Sequence, residues 1–248
     1  MERNLTTGSV LKNLMFFSLP YLLSYFLQTL YGMADLFIVG QFDGVASTTA
    51  VSVGSQVMHM LTVMIVGLAM GTTVTIGQAV GAKNRKKISQ TIGNTVILFC
   101  IVSVVMMAFF LCMVRPIVAV MSTPAEAVEG TVAYLTICFV GIPCITAYNV
   151  ISSVFRGMGD SKSPMYFIAI ACGANIAFDY IFMGALHLGP AGAALGTTLA
   201  QALSVVIALT VILKKKWGSP YPDRISGRVG KQQDRSCASV CRLHYRTD

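Results

Sequence analysis

The sequence predicts an all-α, polytopic membrane protein built as a bundle of six transmembrane helices. Three observations predict it. Six apolar runs recur along the 248 residues, each long enough to reach the roughly 20 residues that a helix needs to cross a hydrocarbon core of about 30 Å. The composition is 55% apolar and only 11% charged, which a water-soluble core of this size does not need. The basic residues also gather at alternate ends of the runs, as topology demands of a membrane protein.

The runs lie at approximately 14–39, 49–80, 89–112, 131–154, 164–186 and 190–213. The first carries Pro20 early and Asp35 late, in LYGMADLFIVG. No short apolar core with a small-residue cleavage site precedes it, so it reads as a retained span. The second is too long for one straight crossing and is expected to project past the bilayer at its Gly77–Gly81 end. Pro20, Gly32, Gly67, Gly71, Pro143 and Gly173 interrupt the helices. Inside a bundle such breaks are tolerated because neighbouring groups re-satisfy the backbone. Gly67 with Gly71, and Gly192 with Gly196, are spaced four apart and read as packing faces. Cys100, Cys112, Cys138, Cys144 and Cys172 fall inside apolar runs as small hydrophobes, so no disulfide framework is expected.

The connectors give an orientation. Of the 18 Lys and Arg residues, 17 fall before the first run, after the second, fourth and sixth, or in the tail; Arg115 alone falls on the other side. By the positive-inside rule both termini are cytoplasmic, in a multi-pass protein of the plasma or inner membrane. The net charge of +8 is thereby explained by topology, and no nucleic-acid partner is expected. The chain divides into a six-helix domain, 1–216, and a polar basic tail, 217–248, that reads as disordered. Cys237, Cys241 and His244 in that tail have poor spacing for a zinc site.

The fifth run, SPMYFIAIACGANIAFDYIFMGAL, organises the functional reading. Asn175 and Asp179 are four apart and lie on one helical face. A carboxylate at that depth costs on the order of 3 kcal/mol to insert and is usually kept for a function. With alternating spans, Tyr134, Asn175, Asp179 and Thr197 share the outer half of the membrane, and Asp35 joins them from the first span. Two acids, an amide, a phenol and a hydroxyl at one depth suit a cation or proton site. A sodium ion would fall to Tyr134, Asn175, Asp179 and Thr197. His59 and Gln28 read first as satisfied structural residues. No nucleophile–base pair, phosphate loop or metal-ligand cluster argues for an enzyme.

FSLPYLL, LQTLYGMADLFIVGQ, GLAMGTTVTIGQAVGAKN, the FRGMGDSKSP loop, NIAFDYIF and PAGAALGTTLAQ follow one another in an order that resembles the N-terminal lobe of multidrug and toxic compound extrusion (MATE) transporters, over residues 8–216 or so. The resemblance implies one lobe of a two-lobe antiporter in the lipid bilayer. Such a transporter expels small organic cations against inward protons or sodium and needs no other cofactor. It also implies a membrane acid at Asp35, a polar cluster at Tyr134, Asn175, Asp179 and Thr197, and a substrate cavity for which Asn149 and Gln28 are the candidates. The family has about twelve spans in two lobes, so a missing second lobe, through truncation or a frameshift, is the expectation the resemblance leaves. The alternative is an inactive remnant or membrane scaffold without transport. A lipid-linked sugar flippase is disfavoured because it would want buried bases for pyrophosphate, and these spans read as having essentially none.

Overall fold

The structure, a computed structural model, describes residues 10–214, and among these there is no strand. The tail expected over 217–248 lies outside the described residues, as do Arg3, Lys215 and Lys216. Residues as far as Leu209 form one compact unit; a second begins at Thr210, and its described part is helical through Lys214.

Three long helices open the chain: α1 (Val10–Phe42), α2 (Val45–Gly81) and α3 (Arg85–Val120). The 37 residues of α2 reach about 55 Å at 1.5 Å per residue, well beyond a hydrocarbon core of about 30 Å. One or both of its ends therefore project past the apolar layer. Asn84 starts α3 by accepting the Lys87 amide at 3.0 Å, a side-chain cap for a backbone donor with no intrahelical partner. Pro20 lies within an unbroken α1 and does not end it.

The fourth run is not one straight helix. It divides into α4 (Val128–Val140) and α5 (Ile142–Gly157), bent by 49°. Pro143 occupies the first turn of α5, where a missing N–H costs nothing, and so starts a helix rather than sitting inside one. Gly141 forms the elbow because α7 comes too close for a side chain: a Cβ there would meet Thr198 Cγ2 at 2.7 Å. Next come α6 (Lys162–Asp179), a π-helical turn over Tyr180–Ala185, and α7 (Gly189–Lys214). Five helices are long and apolar enough to cross a membrane, six if the bent pair α4 and α5 is counted as one span. The chain is a multi-pass, all-α membrane protein.

Within the first unit, α2 packs on α3, α4 and α5, and α1 packs on α2 and α6. Ile38, Val51, Leu135, Phe139, Ile142 and Met183 form the main apolar cluster between these elements. Leu98, Ile101, Val105 and Phe109 of α3 stay outward and exposed, the surface that acyl chains would cover. Alternating spans put the α2–α3 connector, with Lys83, Lys86 and Lys87, at the same end as Arg156 and Lys162; this is called the basic end below. At the opposite end Arg115 and Glu129 form an exposed 3.7 Å ion pair, of a kind that contributes little.

The two small-residue pairs behave differently. A Cβ on Gly192 would touch Met183, Leu188 and Phe182 at 3.2 Å, and one on Gly196 would collide with Asp179, so this face is packed. Gly67 and Gly71 have nothing within 4 Å of a built Cβ and lie on an open face among the described residues. Four-residue spacing shows that two glycines share a face; it does not show that the face has a partner.

Candidate functional site

Asp35 stands two turns before the end of α1, Asn175 and Asp179 end α6, and Thr197 follows the start of α7 by two turns. The helices converge so that Asp35 is 2% exposed, Asn175 1% and Asp179 0%, which removes all three from solvent. Thr197 Oγ1 donates to Asp35 Oδ2 at 3.0 Å and accepts from Asn175 Nδ2 at 3.4 Å. The Asp179 carboxyl lies beside that of Asp35. It fits there because Gly196 of α7 presents a bare Cα to it.

Four oxygens at this point have no hydrogen-bond partner among the described residues: Asp35 Oδ1, Asn175 Oδ1 and both oxygens of Asp179. Ionised carboxylates carry no donor, so the facing Asp35 and Asp179 oxygens cannot satisfy each other. Two bare like charges in a dry site repel by several kcal/mol, and buried charges have to be paired. A proton shared between them, or a cation held by both, supplies what is missing. The donor set is oxygen only, and among the described residues no three His, Cys, Asp or Glu side chains cluster for a metal ion. Hard oxygens suit a proton or an alkali cation rather than a transition metal.

Tyr134 sits one layer away. Its hydroxyl is 3.2 Å from Ser55 Oγ on α2, and its ring lies so close to Gly54 that a Cβ there would collide with it. It is thus tied to α2 and carries no hydrogen bond to Asn175 or Asp179. A cavity of about 600 Å³ connects the two layers. Asp35, Tyr134 and Thr197 line it, as do Gln28 and Asn149, whereas Asn175 and Asp179 lie behind its wall. The Asn149 amide nitrogen is engaged by its own helix, donating to Ile145 O at 2.8 Å.

Sequence reasoning missed Tyr31, Ser55, Gln201 and Arg156, all of which line this cavity. Tyr31 is one turn before Asp35 and Gln201 one turn after Thr197; Gln201 Nε2 donates to the Tyr31 hydroxyl at 3.4 Å. Their helical spacing from the acid and the threonine was the available signal. Among the described residues no Lys or Arg is fully buried, as the sequence suggests, though Arg156 lines the cavity. It is half-buried, with its guanidinium 5.1 Å over the Tyr21 ring. In sequence it reads as a connector charge, because α5 ends one residue later, at Gly157.

Comparison with known proteins agrees with this architecture. The MatE family model matches residues 20–181. The relative named probable multidrug resistance protein YpnP, from Bacillus subtilis, is 31% identical over 211 residues, which cover 85% of this chain and 47% of that protein. A MOP superfamily transporter from Pyrococcus furiosus superposes with a TM-score of 0.79 at 27% identity, covering 85% of this chain and 46% of that one. The outward-facing conformation of a multidrug resistance MATE family transporter gives the same TM-score, identity and coverage. The chain spans about half the length of the curated relatives it matches. With a family match over most of its helices, in an all-α bundle of the same fold, the chain belongs to the MatE family.

Proposed function

We propose that this lobe binds the coupling ion of a cation antiporter, a proton or sodium, between Asp35 and Asp179, with Asn175 and Thr197 completing the site. The observation that carries the reading is the set of four unpaired oxygens on Asp35, Asn175 and Asp179, buried between α1, α6 and α7. Buried acceptors without donors are costly unless a cation or proton engages them. Organic cations then occupy the adjoining cavity, where Gln28, Asn149 and Tyr134 present polar atoms among apolar walls. Asp35 faces both compartments, so the coupling ion and the exported cation compete through one carboxylate. A full transport cycle uses a second lobe moving against this one. The membrane is the plasma or inner membrane, with the basic end cytoplasmic. A lone Arg156 beside a deep acid does not build a pyrophosphate site, which keeps a lipid-linked sugar flippase disfavoured.

Competition is the test. The chain in lipid nanodiscs is loaded with a fluorescent organic cation of the rhodamine class and titrated with sodium at constant pH, then with acid at constant salt. One of the two should displace the dye, and Asp35→Asn and Asp179→Asn should each abolish that displacement while helicity by circular dichroism is kept. Undiminished displacement in both variants would overturn the reading.

A further inference from the structure

Asp35 separates two unlike halves of the lobe. Away from the basic end its neighbours are dry: Ile38, Val39, Val51, Leu135, Met183 and Ala193 are buried in the main apolar cluster. Toward the basic end, α1 lines the cavity with Tyr31, Gln28, Ser24 and Tyr21 at intervals of three or four, which is one helical face. Asn149, Ser152 and Arg156 line it from α5. Asp35 and Tyr21 are 14 residues apart on α1, about 21 Å at 1.5 Å per residue. The cavity, of about 600 Å³, runs along this length and is open on the side where Tyr25, Met33 and Val63 are exposed.

The groove is built for water. Gln201 Oε1 and Ser152 Oγ, both on its lining and both in buried side chains, have no hydrogen-bond partner among the described residues. Buried polar atoms of this kind are ordinarily satisfied by ordered water. At the basic end the groove meets one fixed charge. Arg156 lies over the Tyr21 ring at 5.1 Å, and its Nε donates to Ser152 O at 3.1 Å. Among the described residues it has no carboxylate at ion-pair distance. The nearby acid, Asp160, is taken up by the start of α6, accepting from Lys162 N, Ser163 N and Ser163 Oγ.

We propose that this groove is a hydrated path between the carboxylate pair and the basic end, and that Arg156 docked on Tyr21 is the gate that keeps cations from entering it there. The proposal rests on the reading of Asp35 and Asp179 as the coupling-ion site and adds the ion's route within the lobe. A half-buried guanidinium with no carboxylate beside it repels cations and attracts anions at this end of the cavity, and its hold on Tyr21 fixes it there. Release of the ion toward the basic end then requires Arg156 to leave Tyr21.

The test places a thiol one turn inside the gate with Ser152→Cys in the otherwise native chain, in inverted membrane vesicles. Methanethiosulfonate reagents of similar size, one carrying trimethylammonium and one sulfonate, are added, and modification is read peptide by peptide by mass spectrometry. Relative to their rates with a free thiol, the anionic reagent should react at this position about tenfold faster than the cationic one. Arg156→Gln should bring the ratio near one, and Arg156→Lys should retain it. Tyr21→Leu, which undocks the guanidinium without removing it, should lower the ratio and serves if Arg156→Gln fails to insert. A merely structural Arg156 would change both reagents alike. No reaction with either reagent, reaction only from the opposite face, or a ratio insensitive to both Arg156→Gln and Tyr21→Leu would overturn the proposal. Labelling needs neither dye nor coupling ion, so its outcome stands apart from the competition assay.

Discussion

The Asp179 carboxylate rests on the bare Cα of Gly196, and no larger residue at 196 leaves room for it. That contact joins the end of α6 to the first turns of α7 and turns the carboxylate toward Asp35. Here glycine is needed for close approach rather than for backbone freedom.

Gly196→Ala should therefore act on the carboxylate pair. Overpacking a dense site costs about 1–3 kcal/mol, and the softest response is for Asp179 to swing away. Dye displacement by the coupling ion should weaken by about tenfold in this variant, with a lowered thermal midpoint. Gly67→Ala, with nothing within 4 Å of its Cβ, is the matched control and should leave both unchanged. Equal effects from the two variants would show that Gly196 has no special relation to Asp179.

Thr197 bridges the two halves of the site, donating to Asp35 and accepting from Asn175. Thr197→Val keeps the shape and removes both bonds, leaving Asp35 Oδ2 and the Asn175 amide without a partner. The cost expected is about 1–3 kcal/mol. Thr197→Ser should restore most of it. Thermal unfolding of the two variants, followed by circular dichroism, should rank wild type, then Ser, then Val; a Val variant as stable as wild type would mean that the hydroxyl carries no net stabilisation.

Two parts of this architecture were legible because the bilayer prices them. Six spans follow from apolar length, and Asp35 and Asp179 stand out because an idle acid is costly at that depth. Thr197 and Asn175 follow from helical spacing and a shared depth. Other parts have no such signature. The Tyr134–Ser55 link depends on how α2 and α4 are rotated, and Ser55 is one of several small polar residues along α2. The 49° elbow at Gly141 is set by the approach of Thr198 from a distant helix. Gly196 and Gly67 look alike in sequence, and only the neighbouring helix makes one of them indispensable.

Orientation can be tested at Asn84. It caps α3 at the basic end, beside Lys83, Lys86 and Lys87, and is exposed. A membrane-impermeant maleimide should label Asn84→Cys in inverted vesicles and not in intact cells. A cysteine at Ala125, in the exposed turn before α4 at the other end, should show the reverse. Labelling of Asn84→Cys from outside intact cells would invert the assignment of the basic end to the cytoplasm.

The turn between α5 and α6 positions both Arg156 and the helix that carries Asn175 and Asp179, and Asp160 holds it. Gly159, two residues past the end of α5, adopts a left-handed conformation, φ 86°. Asp160, buried, then accepts the amides of Lys162 and Ser163 at 3.1 Å and the Ser163 hydroxyl at 2.6 Å, fixing the first turn of α6. Asp160→Ala leaves those two amides without a side-chain acceptor, a loss of about 1–2 kcal/mol for a helix start. Asp160→Asn keeps an acceptor oxygen and should lose less. Because α6 carries Asn175 and Asp179 at its far end, the alanine variant should unfold at lower temperature and show weaker displacement of the dye by the coupling ion. Asparagine should fall between alanine and wild type in both readings. A stable alanine variant with undiminished displacement would mean that α6 is held by its packing alone, and that the Asp160 cap contributes nothing to the site 15 residues and more beyond it.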